Sequence, residues 1–349
     1  MTKEVIVVLN EARPVYDSGS LSSSGESELD RLLEQQGIRL EPVYLPPSGE
    51  GLPNAELSSA EVELSRYYRA EVEDAASNTI IESLERLAAV ESAYIKPDTE
   101  NPIAPFDSAA LVTSAPQLVS ASAGVPSFVA QQGYLGKKPA GVGTPSAWSR
   151  PGGKGQGVTI IDIEGGWCFS HIDLLPNDGL KGGVAYPGLD WRNHGTAVFG
   201  EIAGRANAFG VTGIAPEASI GGLSHGSLGS ARAIQQAIAL LKAGDILLLE
   251  MHRPGPRYNF ASRPDQLGYI AVEWWPDDLL AIQIASERGI IVVEAAGNGA
   301  ENLDDLFYDA KGPGFPRRGS TLFGVLPILE QSSSGRAHRQ SDTASIDQD

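Results

Sequence analysis

The sequence predicts an α/β protein: a doubly wound parallel sheet preceded by a small α+β domain. Three observations carry this. From Gly157 onward, short apolar runs (GVTIIDI, ASIGGLS, DILLLEM, IIVVEAAGN) recur without polar alternation, as expected of strands buried on both faces of a parallel sheet. Between them lie helix-period segments, SARAIQQAIALLKAG and LLAIQIASERG, that end at glycines. Ahead of both, residues 1–101 show the segment order β-α-β-β-α-β.

Within residues 1–101, KEVIVVL (3–9) is short and β-branched, hence a strand. Leu29, Leu32 and Leu33 fall at i, i+3 and i+4, predicting a helix over 27–36 that Gly37 closes. IRLEPVYL (38–45) alternates like a strand, where Pro42 is tolerated only at an edge. Pro46–Pro53 reads as a loop and LSRYYRAEV (64–72) as a strand. Ser77 is expected to cap a helix carrying Ile80, Ile81, Leu84, Leu87 and Ala88, and AYIKP (93–97) returns as the last strand. Residues 102–155, rich in Pro, Ser, Ala and Gly, read as a linker or surface arm. The main α/β domain is expected over 156–313, with its chemistry at the carboxyl ends of the strands. After Gly314 the alternation stops, and residues 314–349 read as an irregular tail of the kind a frameshift or early stop would leave.

The formal charge of −18 argues against nucleic acid or an anionic membrane surface as partner. Residues 1–102 hold 20 Asp/Glu against 8 Lys/Arg, so most of that excess sits in the first third of the chain. Cys168 is the sole cysteine, which excludes an internal disulfide and a cysteine-built zinc site. No apolar run approaches membrane-spanning length. The opening apolar stretch before Asn10 is too short for a signal-peptide core, favouring a cytoplasmic location.

Three residues could share one chemistry. Asp162 ends an apolar strand, His194 opens a His-Gly-Thr run read as a helix start, and Asn298 sits in a Gly-flanked turn after IIVVEAA. A buried carboxylate holds one imidazole nitrogen so that the other can take a proton from a nucleophile, while an amide stabilises the oxyanion that follows. Taken singly, each has a plainer role as turn cap, helix residue or turn residue.

Residues 155–299 resemble the front part of a subtilisin-like serine protease, a subtilase. The likeness rests on the Asp162 run, NHGTAVFGEIAG, the following VTGIAPEASI, the helix–strand unit 230–250 and the AAGN turn. It implies peptide-bond hydrolysis on polypeptide substrates, with His194 as base and acid, Asp162 as its orienter and Asn298 as oxyanion donor. His171 and Asp173, in FSHIDL, match a stretch that is structural in the family. The segment order of 1–101 is similar to the family's propeptides. That implies a domain acting as intramolecular inhibitor and folding chaperone, with IKPDTENP as its inhibitory tail.

The departures are specific. The family's Asp-Ser-Gly or Asp-Thr-Gly is here Asp162-Ile163-Glu164-Gly165, and Glu164 is expected to be solvated in the loop. Glu250-Met251-His252 replaces a Ser-Leu-Gly run of the substrate-binding wall, implying an unusual, acidic specificity pocket. No Gly-Thr-Ser run follows Asn298, so no nucleophile is identified; Ser320, Ser332, Ser333, Ser334, Ser341 and Ser345 are candidates by residue type only. Cys168 reads as a small buried hydrophobe. The family often binds calcium, and Asn302, Asp304, Asp305 and Asp309 form an oxygen-rich group of possible Ca2+ ligands, although their spacing fits no EF-hand loop. The competing readings are a non-catalytic pseudoprotease that binds peptides in the same cleft, and a small-molecule site at the switch point of the sheet. The last expects Asp162 and His194 to lie beyond hydrogen-bond reach.

Overall fold

A computed structural model describes residues 2–13, 27–46, 57–102, 125–303 and 305–308. The tail serines and all of residues 309–349 lie outside these segments. The first domain runs β1 (Thr2–Leu9), α1 (Glu28–Gln36), β2 (Glu41–Pro42), α2 (Ser59–Leu64), β3 (Tyr67–Glu73), α3 (Ser77–Glu85) and β4 (Val90–Lys96). Its antiparallel sheet has the order β2-β3-β1-β4, which places Pro42 on an edge strand as expected.

Local chemistry sets the ends. Ser27 and Asp30 form a reciprocal capping box at the start of α1, and Gly37 closes it in the left-handed conformation. A second box, Ser58 with Glu61, starts α2, a helix that the sequence pattern did not predict because it is only one and a half turns long. Ser77 is not the cap of α3; a 3₁₀ turn at Asp74–Ala76 precedes it, and its hydroxyl donates to the Asp74 carbonyl.

Strand β1 is buried on both faces. Val5, Val7 and Leu9 pack with Leu29, Leu33, Ile80 and Leu84 beneath α1 and α3. Ile6 and Val8 face the other way and join Leu64, Tyr67 and Tyr94 in a core shared with Ile234, Trp274, Trp275 and Ile282 of the second domain. The two domains are therefore packed through apolar surface rather than tethered. Removing that much apolar area from water is favourable by about 25 cal/mol per Å2.

The second domain continues with α4 (Thr144–Trp148), β5 (Thr159–Glu164), β6 (Leu180–Gly182), α5 (Leu189–Ala203), β7 (Ser219–Ser224), α6 (Ser230–Leu240), β8 (Ile246–Leu249), β9 (His252–Pro254), β10 (Tyr269–Ala271), α7 (Pro276–Glu287) and β11 (Ile291–Glu294). Five strands form a parallel sheet in the order β11-β8-β5-β7-β6. α6 and α7 bury Ile234, Ile238, Ile282 and Ala285 with Ile161, Ile163 and Leu247. α5 buries Phe199 and Ala203 with Ile160 and Ile220. This is the doubly wound α/β arrangement, and its central strand, β5, carries the acidic residues. Residues 125–155 pack along this domain: the Gln132 side chain exchanges hydrogen bonds of 2.8 and 2.9 Å with the Thr212 backbone. No helix among the described residues is long and apolar enough to cross a membrane.

Candidate active site

Strand β5 extends to Glu164, beyond the run read from the sequence. Alternation then puts Asp162 and Glu164 on one face, and both are fully buried. This corrects the expectation that Glu164 is a solvated loop residue. The helix carrying His194 also begins earlier than expected, at Leu189, so His194 lies in its second turn. That position places the imidazole against the last residue of β5. His194 Nδ1 bonds Glu164 Oε1 at 2.7 Å. Asp162, expected to orient His194, instead accepts a 2.8 Å hydrogen bond on Oδ2 from the Trp167 indole. The carboxylate bonded to His194 is thus Glu164, the last residue of β5, two residues beyond Asp162.

The close approach depends on Gly195. A Cβ there would lie 2.5 Å from the Gly166 carbonyl oxygen and 2.6 Å from the Trp167 ring. The glycine lets α5 sit on the strand end, and its N–H also donates to Glu164. Thr196 fixes the next turn, its hydroxyl accepting from Cys168 N–H at 2.8 Å. Cys168 itself is half-buried, with its sulfur 3.6 Å from the Ser170 hydroxyl. His171 caps a short turn by accepting from Asp173 N–H at 3.3 Å, a structural role.

Three carboxyl groups crowd one imidazole. Burial holds Asp162 well above the ordinary carboxylate range, reinforced by the charges of Glu164 and Glu250. Burial and Glu250 push Glu164 up as well, with Asp162 and Gly195 opposing. Glu250, which follows β8 and donates its N–H to the Ile163 carbonyl at 3.3 Å, is also raised by burial, with His194 opposing.

Asn298 lies in the turn after β11. Its backbone N–H donates to His252 Nδ1 at 3.2 Å, and its side-chain amide lies 3.5 Å from Gln266 Oε1. A Cβ at Gly299 would stand 2.1 Å from the Tyr269 carbonyl oxygen, so the turn can pack on β10 only with glycine there. His252 is fully buried and its imidazole is pushed down to about 3 by burial, hence neutral. The sequence singled out His252 only as part of the wall and missed Gln266 and Trp167. No residue-type signal marks the last two, since one lies in an irregular stretch with φ of 52° and the other follows two glycines.

The end of the first domain enters this cleft. Glu100 pairs with His252 in both directions, N–H to carbonyl at 3.0 and 3.1 Å, in antiparallel fashion. Thr99 Oγ1 lies 2.8 Å from His225 Nδ1, and the Asn101 carbonyl accepts from Gln266 Nε2 at 2.8 Å. Arg253 holds the Pro97 carbonyl. The segment Pro97–Pro102 thus meets β9 through one antiparallel bridge at Glu100 and is held by the side chains of Arg253, His225 and Gln266.

Residues 179–314 match the model of the subtilase peptidase family, a span that includes His194 and Asn298 and starts after β5. Over that span the chain is similar to the subtilase family. It is 31% identical to subtilisin DY of Bacillus licheniformis over 170 residues, 46% of this chain and 55% of that protein. Against subtilisin Savinase of Lederbergia lenta it is 30% identical over 167 residues, 45% and 53% of the two chains. The solved structure of fervidolysin from Fervidobacterium pennivorans, a keratinolytic enzyme related to subtilisin, matches at 15% identity with a TM-score of 0.45, covering 87% of this chain and 41% of that one. The chain spans about half the length of the curated relatives it matches.

The expected calcium group is only partly described: the Asp305 carboxylate accepts from Arg257 at 3.3 Å and from Phe307 N–H at 3.0 Å, and Asp304 and Asp309 lie outside the described residues. Among the described residues no group of three His, Cys, Asp or Glu side chains is arranged to hold a metal. His194 makes no hydrogen bond to a hydroxyl among the described residues; its bond is the one to Glu164.

Proposed function

We propose that this chain carries the acid–base and oxyanion parts of a serine endopeptidase site and serves peptide-bond hydrolysis through an acyl-enzyme. The observation that carries the proposal is the 2.7 Å bond from His194 Nδ1 to the buried Glu164. It leaves Nε2 as the nitrogen that takes a proton from an attacking hydroxyl and returns it to the leaving amine. Glu164 stabilises the imidazolium formed in that step. Asn298 supplies the amide that stabilises the tetrahedral oxyanion. No nucleophile is identified for this site among the described residues. The first domain acts as an intramolecular inhibitor, its tail bridged to His252 of β9 at Glu100.

The second reading, a peptide-binding module without hydrolysis, is favoured by the seating of the tail itself, which needs no nucleophile. One experiment separates the two. The full chain is treated with a fluorophosphonate, mapped by mass spectrometry, and assayed on a fluorogenic peptide library. Labelling of a single serine, lost in His194→Ala, together with turnover supports hydrolysis. Absence of label and turnover, with a peptide of sequence IKPDTENP competing for the cleft, overturns it in favour of the binding module.

A further inference from the structure

Asp162 and Glu164 are fully buried, and each leaves one carboxyl oxygen without a hydrogen-bond partner among the described residues: Asp162 Oδ1 and Glu164 Oε2. The other oxygen of each is taken, by the Trp167 indole and by His194. Two ionised carboxylates in this arrangement would leave two buried acceptors unsatisfied and two like charges adjacent, both costly. One proton removes both penalties. The two groups lie two residues apart on the same face of β5, at its buried end.

We propose that Asp162 is a positioning residue that stays a carboxylic acid, donating from Oδ1–H to Glu164 Oε2 and so fixing Glu164 as the carboxylate that holds His194. The assignment of the proton follows from the partners. Glu164 receives N–H donors from His194 and from Gly195, which favour its anion. Asp162 has only the indole N–H, and burial and the negative charges of Glu164 and Glu250 oppose its ionisation. The groups facing the pair are Trp167 from the loop after β5, His194 and Gly195 from α5, and Glu250 from the end of β8. The donor chain runs from Trp167 to Asp162 to Glu164, with His194 donating from the other side. Glu164 is locked at both oxygens, and the pair carries one negative charge rather than two.

This deepens the hydrolase reading of the same site, but its test reads the carboxyl groups and the imidazole directly. A chain that hydrolyses nothing still decides it. Infrared spectroscopy of the full-length wild type at neutral pH should show a protonated-carboxyl stretch that Asp162→Asn removes and Glu250→Gln leaves in place. In nitrogen-resolved NMR, the His194 Nδ1–H should exchange with solvent at the wild-type rate in Asp162→Asn, where the amide can still donate. In Asp162→Leu, which has no donor, it should exchange at least about tenfold faster, since a hydrogen bond to a charged group contributes more than that factor. The proposal is overturned if the wild type shows no such stretch, if the stretch survives Asp162→Asn, or if Asp162→Leu leaves the exchange rate unchanged. The wild-type spectrum and the near-isosteric Asp162→Asn keep the test decisive should the leucine variant fail to fold.

Discussion

Two buried charge clusters in this molecule have nearly the same burial and opposite balance. At the joint between the domains, Lys96 of β4 is completely enclosed with Asp277 and Asp278 of α7; it bonds Asp277 and lies 2.9 Å from Asp278. Arg253 approaches Asp278 at 3.6 Å, and Tyr94 and Ser230 donate to the two aspartates at 3.0 and 2.5 Å. Two cations meet two anions there. At the end of β5, three acids meet one imidazole. The first cluster is what a fold builds to join two surfaces. The second carries a surplus of buried acid around one imidazole, the kind of imbalance that the proposed proton-transfer site calls for.

The largest expected effect tests the balanced cluster. Lys96→Met leaves two buried aspartates sharing one arginine, and breaking a buried pair on one side destabilises by about 3–5 kcal/mol. Chemical denaturation should show that loss, and Lys96→Met with Asp277→Leu should recover most of it. If the single variant is as stable as wild type, the comparison fails at its root.

The next effect concerns the tail that joins the clusters. His225, beside Thr99, and His252, beside Glu100 and Asn101, are both pushed down to about 3 by burial. Tyr186, Trp191 and Arg253 face the first; Tyr269, Asn298 and His194 face the second. A released tail lets these imidazoles protonate at their ordinary value, so the released state binds more protons. Seating of the tail is therefore strongest above the ordinary histidine value of 6.5 and weakens as pH falls from there toward 3. Hydrogen exchange at residues 97–102 should rise by up to about tenfold per histidine for each pH unit below that value. His225→Asn should flatten the response. The domain joint answers acid in the opposite sense. Asp278 is raised to about 6 by burial, so its cost to the folded state appears only as pH climbs from 3.8 toward 6.

The surplus of acid at β5 gives a smaller, stabilising prediction. Glu250 is raised by burial, so the folded chain bears a penalty above the ordinary glutamate value of 4.5. Glu250→Gln should raise stability at pH 7 and leave it nearly unchanged near pH 3.5, where the group is protonated in both states. Equal gains at both pH values would mean the effect is packing rather than charge.

The balanced cluster was illegible in the sequence, and the unbalanced one half legible. The apolar runs gave β5, β7, β8 and β11 because parallel strands buried on both faces need no polar alternation. His194 and Asn298 stood out through their flanking glycines. What failed was the choice between Asp162 and Glu164, which depends on where a strand ends, and strand ends are set by tertiary pairing: β5 continues because Glu164 lies beside Ser224 of β7. Lys96, Asp277 and Asp278 are ordinary surface-type residues by composition. Only the docking of the first domain onto α7 buries them. The β9–β10 hairpin, which forms the wall under the tail, escaped because three-residue strands carry too few positions for a period.

The smallest expected effect lies beside the balanced cluster and separates helix formation from domain joining. Ser58 and Glu61 cap α2 reciprocally, at 2.9 and 3.3 Å, and Glu61 also accepts from Arg288 beyond α7 at 2.6 Å. Ser58→Ala removes the cap alone and should cost about 1 kcal/mol. Glu61→Ala removes the cap and the bond across the domain joint, so it should cost more than Ser58→Ala. Only the glutamate variant should increase hydrogen exchange in the first turn of α7, around Asp277 and Asp278. Equal costs with no change at α7 would show that Arg288 adds nothing to the joint and leave its polar part to the Lys96 cluster.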